Sequence, residues 1–153
     1  MAQFLVTGGS GFIGSHLCRK LLGEGHGVRV LDNLSFGKRA NLSDVADDID
    51  FHEADLCDED AVQRAVKGVE YILHHAAVAS VQTSVEEPLI EQQINSVGTL
   101  NLLEAARQAG VRRVVFAASA AAYGNDPRVP KREDMRPTPE SPYAISKLAG
   151  EYY

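Results

Sequence analysis

Cysteine is scarce in this chain. There are two, Cys18 and Cys57, and neither belongs to a C-x-x-C pair, so a disulfide-stapled framework is excluded. They read as reduced thiols, small buried hydrophobes in a cytoplasmic protein. Long hydrophobic runs are missing too. None approaches the roughly 18 apolar residues that a helix needs to cross a bilayer, and the first residues read as a strand rather than as a charged and then apolar leader. Positive charge is in deficit: 15 Lys and Arg against 21 Asp and Glu leave a net charge of −6. That balance argues against nucleic acid or an anionic membrane as the main partner. There is no internal repeat and no low-complexity segment. What remains is ordinary for one globular domain: 153 residues, 44% hydrophobic and 24% charged. A chain near this length buries roughly 70% of its unfolded surface, enough for a real core.

Apolar runs alternate with helical spacing. Strands are expected at Gln3–Thr7, Val28–Leu31, Ile49–His52, Val69–His74 and Arg113–Ser119. A helix is expected over Phe12–Leu22, with Phe12, Ile13, Leu17, Leu21 and Leu22 on one stripe. A short one should contain Ala61, Val62, Ala65 and Val66. A long one should run from Leu89 to Ala109 with an apolar stripe through Ile94, Val97, Leu100, Leu102, Leu103, Ala105 and Ala106, stopping at Gly110. A last helix begins at Ser141-Pro142, an N-cap serine followed by proline at N1. Residues 124–141 between these elements carry four of the six prolines and read as a functional loop. Strand–helix alternation with apolar, β-branched strands indicates an α/β fold: a Rossmann-type doubly wound parallel sheet of about five strands, with residues 1–153 forming one dinucleotide-binding domain.

Glycine is concentrated at one place. Four of thirteen lie between Gly8 and Gly14, directly after the first strand and at the start of the first helix. Gly9-Ser10-Gly11-Phe12-Ile13-Gly14 matches G-x-G-x-x-G. In that pattern an early glycine makes the tight turn, Gly11 lets backbone approach a pyrophosphate, and Gly14 lets helix and strand pack closely. The first-turn N–H groups and the helix dipole then hold the anion. Asp32, at the end of the second strand, is placed to accept hydrogen bonds from ribose hydroxyls and to repel a 2′-phosphate, which favours NAD over NADP.

A second constellation joins Ser119, at the end of the fifth strand, to Tyr143 and Lys147 in YAISK. A spacing of four puts the tyrosine and lysine on one helical face. Bringing a phenol from a pKa near 10 to near 7 requires roughly 4 kcal/mol. An ammonium ~5 Å away supplies about 3 kcal/mol at an effective dielectric of 20, which makes Tyr143 a candidate general base.

With these motifs in hand, the chain resembles the extended short-chain dehydrogenase/reductase family, in its NAD-dependent nucleotide-sugar epimerase/dehydratase branch. TGGSGFIGSH, DNLSFGKRANL, Asp55-Leu56, HHAAVASV, NSVGTLNLLEAAR, SAAAYG and SPYAISK follow that family's blocks in its order. The resemblance implies that Gly8, Gly11, Phe12, Ile13 and Gly14 hold the pyrophosphate of NAD. It implies that Asp32 and Asn33 meet the adenosine ribose, Asp55 and Leu56 the adenine, and that Ala76 and Ala77 pass close to the cofactor. Asn95 would help organise the site, and Ser119, Tyr143 and Lys147 would be catalytic, with Tyr143 and Lys147 also touching the cofactor. Tyr123 and the segment after it would lie near the sugar nucleotide. Dehydratases resembling this chain carry acids just after the catalytic Ser/Thr. Here those positions are Ala120 and Ala121, so the resemblance favours a 4-epimerase of a UDP-linked sugar, closest to those of UDP-glucose and UDP-N-acetylglucosamine. A dehydratase or reductase of the same family, or a binding or interaction module without turnover, are the alternatives. The resemblance further implies a homodimer, and more strands plus a substrate domain after Tyr153.

Other clusters read as structural. His74 and His75, adjacent on a strand, point to opposite faces and do not readily share a metal. Asp58, Glu59 and Asp60 read as the acidic first turn of a helix. Arg128, Lys131, Arg132 and Arg136 read as a solvated loop.

Overall fold

In the computed structural model, which describes all 153 residues, β1 (Gln3–Thr7) is the centre of a parallel sheet. It lies between β2 (Gly27–Asp32) and β4 (Tyr71–His74), with β3 (Ile49–Glu53) beyond β2 and β5 (Arg113–Phe116) beyond β4. The order 3-2-1-4-5 is that of a doubly wound sheet. Register sets Val6 beside Val30 and Leu73, and Leu5 beside Ile72.

Because successive strand residues face opposite sides, the sheet buries two separate cores. On one side Leu5, Leu31 and Ile72 meet Val62, Ala65 and Val66 of α2 (Glu59–Val66) and Leu102, Ala105 and Ala106 of α5 (Gly98–Ala109). On the other side Val6, Val28 and Val30 meet Cys18 and Leu21 of α1 (Phe12–Gly23) and Leu42 from a 3₁₀ turn, Arg39–Val45. Cys18 is fully buried, and burial pushes its thiol up to about 12, so it behaves as a packing group. The Asp58 side chain accepts the Ala61 N–H at 3.0 Å as N-cap of α2, with Glu59 and Asp60 in the first turn, as the acidic run suggested.

These elements form one unit, residues 1–76 and 101–117; residues 77–100 and 118–153 form a second. The second unit contains α3 (Val81–Glu86), α4 (Pro88–Gln92), a π-helical turn Gln93–Val97, a 3₁₀ turn Ala120–Tyr123 and α6 (Pro142–Tyr152). Helix α6 packs against α3, α4, the π turn and the 3₁₀ turn.

Four expectations need correction. The stripe on α1 is not Phe12 and Ile13, which are 80% and 57% exposed, but Gly14, Ser15, Cys18 and Leu21. The long helix is interrupted by the π turn, and the wider turn shifts the phase, so Val97 and Leu100 face outward. Helix α3, capped by Ser80 Oγ accepting the Thr83 N–H at 3.1 Å, was not anticipated. Strand β5 ends at Phe116, so Ser119 lies three residues beyond it, as N-cap of the 3₁₀ turn.

Candidate functional site

The first unit builds an anion-receptive turn. The chain leaves β1 at Thr7 and reverses through Gly8, whose φ of +68° is a glycine conformation. A side chain at Gly8 would also meet Ala76 N at 2.8 Å, so this residue lets the turn lie against the end of β4. At Gly14 an added Cβ would stand 2.2 Å from Gly8 O. Gly11 differs: its only close neighbour would be Gly8 O at 3.2 Å, which leaves that backbone approachable. As N-cap of α1 it has no side chain to cap with, and the first turn holds no acid. The N–H groups at the helix start, including those of Phe12 and Ile13, therefore suit an external anion. Ser10 Oγ, fully buried in the same turn, has no hydrogen-bond partner, an unmet polar group that also fits a ligand site.

Asp32 is buried and braces this turn. Its Oδ2 accepts the Ser10 N–H and its Oδ1 the Leu34 N–H, each at 2.8 Å. Each carboxylate oxygen keeps a further lone pair for a hydroxyl. The Asn33 side-chain amide donates to Asp55 Oδ2 at 2.6 Å, and Asp55 Oδ1 accepts the Cys57 N–H at 2.8 Å. Burial works to raise the Asp55 pKa, but the donors from Cys57 and Asn33 outweigh it and hold the carboxyl below its usual value. The neighbouring Leu56 side chain is core. Thr7 Oγ1 and His74 Nδ1 lie 2.6 Å apart, and the Ala76 N–H donates to Thr7 Oγ1 at 3.2 Å; His74 is a packed strand-end residue.

The second unit contains Ala77, Asn95, Ser119, Tyr143 and Lys147. Ser141 Oγ accepts the Ala144 N–H at 3.1 Å and starts α6 with Pro142 at N1, which puts Tyr143 and Lys147 on the expected shared face. Lys147 Nζ lies 5.9 Å from the Tyr143 ring centroid. Lys147 is 6% exposed; burial pulls its pKa below the ordinary lysine value, and the negative charge of Glu91 works against that fall. Ser119 Oγ accepts the Ala121 N–H at 3.2 Å, and Ala120 and Ala121 form the turn that follows. Asn95 clamps the segment after Ala77: its Oδ1 accepts the Val78 N–H at 2.8 Å and its Nδ2 donates to Val78 O at 3.1 Å. Tyr123 O accepts the Thr138 hydroxyl at 2.9 Å. The basic loop residues are engaged locally, Arg128 with Asp126 at 2.7 Å and Arg132 with Asp134 at 3.4 Å.

Ser10, Glu91 and Ser146 were not singled out from the sequence. The available signal was Glu91, an acid on a helical stretch four residues before Asn95.

The sheet order and the glycine turn between β1 and α1 define a dinucleotide-binding α/β protein. The profile of the NAD dependent epimerase/dehydratase family matches residues 4–153, and the chain belongs to that family. A curated UDP-glucose 4-epimerase from Mycolicibacterium smegmatis is 47% identical over 97% of this chain and 49% of its own length. The crystal structure of Thermus thermophilus UDP-glucose 4-epimerase in complex with NAD matches with a TM-score of 0.91 and 47% identity, over 99% of this chain and 49% of that one. A UDP-N-acetylglucosamine 4-epimerase from Methanobrevibacter ruminantium, in complex with UDP-N-acetylmuramic acid, matches with a TM-score of 0.94 and 38% identity, over 99% and 49%. The chain spans about half the length of the curated relatives it matches.

Proposed function

We propose that this chain supplies the NAD-binding and proton-transfer residues of a nucleotide-sugar 4-epimerase acting on a UDP-linked sugar. The observation that carries the reading is the Tyr143–Lys147 pair on α6, with Nζ 5.9 Å from the phenol ring, in a member of this family. Gly8, Gly11, Phe12, Ile13 and Gly14 receive the pyrophosphate, Asp32 and Asn33 the ribose, Asp55 and Leu56 the adenine. Ala76, Ala77 and Asn95 shape the cofactor's path. The carboxylate at Asp32 supports NAD over its 2′-phosphorylated form. NAD, when bound, supplies a reversible hydride acceptor.

The protein's part is proton handling. Lys147 lowers the energy of the Tyr143 phenolate, which removes the proton of the sugar 4-hydroxyl and later gives it back; Ser119 orients that hydroxyl. Ala120 and Ala121 bear no ionisable group, which supports epimerisation over water elimination. The reading includes a cytoplasmic location, supported by Cys18 and Cys57 carrying thiols rather than a disulfide. No helix is long and apolar enough to cross a membrane. It also includes a homodimer, supported by the outward apolar side chains Val85, Leu89, Ile90, Val97 and Leu100.

The test uses the full-length polypeptide with NAD and either UDP-glucose or UDP-N-acetylglucosamine, with products separated by chromatography. Interconversion with the 4-epimer is expected. Tyr143→Phe should lower turnover by about 10²–10⁴-fold while NAD binding, measured by titration calorimetry, persists. No interconversion of either sugar by the NAD-loaded protein would overturn the reading.

A further inference from the structure

Glu91, on α4, is 1% exposed; Asp32 is the one other buried acid. Its surroundings are donors. Ser146 Oγ lies 2.6 Å from Oε1, the Asn95 side-chain amide donates to the same oxygen, and Gln92 Nε2 donates to Oε2 at 2.8 Å. The single Ser146 proton has a second acceptor in Tyr143 O at 2.9 Å, and Glu91 is the nearer. Such a set suits an acceptor-only, ionised carboxylate. A buried carboxylate is costly to keep charged unless a cation shares its surroundings. The buried cation here is Lys147, next in sequence to Ser146.

We propose that Glu91 is a positioning residue acting through Lys147: its carboxylate, tied to α6 through Ser146 and to the π turn through Asn95, sets the field in which the Tyr143–Lys147 pair exchanges protons. The inference rests on the proposed role of that pair. It deepens it by assigning the working pH to a residue outside the tyrosine, lysine and serine.

The charged neighbours are few. The π turn carries no titratable side chain. Helix α3 carries Glu86, exposed and accepting from Gln82, and Glu87 at the start of α4 is exposed as well. Helix α6 carries Tyr143, Lys147 and the exposed Glu151 and Tyr152. Of these, Lys147 is the one whose proton affinity Glu91 raises.

The sign follows. Removing a negative charge makes a nearby ammonium easier to deprotonate, so Lys147 loses its proton at lower pH. The limb of the pH–rate profile that Lys147 sets then moves down, whereas loss of a merely structural contact lowers the height and leaves the limbs in place. Glu91→Gln retains an oxygen to accept from Ser146 and Asn95 but carries no charge. In the full-length enzyme with NAD, that limb of the E91Q profile should move down by roughly 0.5–1.5 pH units; limbs superimposed on those of the parent overturn the proposal. If E91Q does not fold, Glu91→Asp retracts the charge by one methylene. A downward shift of a few tenths of a unit is then expected, and none overturns it. A ¹³C NMR titration of Lys147, its signal assigned by its loss in Lys147→Arg, needs no turnover. A lower Lys147 pKa in E91Q supports the coupling, and an equal one sinks it. An inactive parent enzyme would instead defeat the functional reading while leaving this titration to decide on Glu91.

Discussion

Gly14 has no room for a methyl group. An added Cβ would stand 2.2 Å from Gly8 O and 2.7 Å from Gly9 Cα, both backbone atoms that cannot swing aside. Gly14→Ala should therefore open the turn, costing about 1–3 kcal/mol of stability and at least tenfold in NAD affinity. Thermal melts and calorimetry on the full-length protein check both; unchanged affinity would separate this turn from the cofactor. At this scale the glycine pattern was readable because close backbone approach demands a particular residue. Asp32 was readable as an acid at a strand end. Its bonds to the Ser10 and Leu34 N–H groups were not, because they depend on how the chain folds back after β2.

At the scale of the element, caps decide where helices begin. Ser141 is the clearest: its Oγ accepts the Ala144 N–H at 3.1 Å one turn before Lys147. Ser141→Ala should cost about 1 kcal/mol in urea unfolding and lower turnover, since the start of α6 carries Tyr143. A variant with unchanged unfolding would show that Pro142 alone sets the boundary. Ser80 caps α3 in the same manner, yet α3 escaped the sequence reading because six residues present too little apolar periodicity. The π turn escaped it for another reason. Apolar spacing between Leu89 and Ala109 fits an unbroken helix, and the extra residue is accommodated where Asn95 turns inward to bind Val78.

For the whole molecule, exposed apolar surface is the feature that the chain alone leaves unexplained. Leu89 is 85% exposed, Val85 63% and Ile90 54%, more than scattered surface residues require. If the proposed homodimer buries this face, Leu89→Arg in the full-length protein should shift sedimentation from dimer towards monomer. A parent that sediments as a monomer would remove the dimer from the reading.

The amino-acid order by itself determined the alternation of strands and helices, the glycine turn and the i,i+4 tyrosine and lysine. Each of these depends on local spacing, and local spacing is carried by neighbouring residues. Tertiary structure decided which side of α1 is buried, where the long helix loses its phase, and that Glu91 is buried and meets Ser146 55 positions away. Those outcomes depend on what a side chain packs against, and burial turns an ordinary polar residue into one that needs a partner.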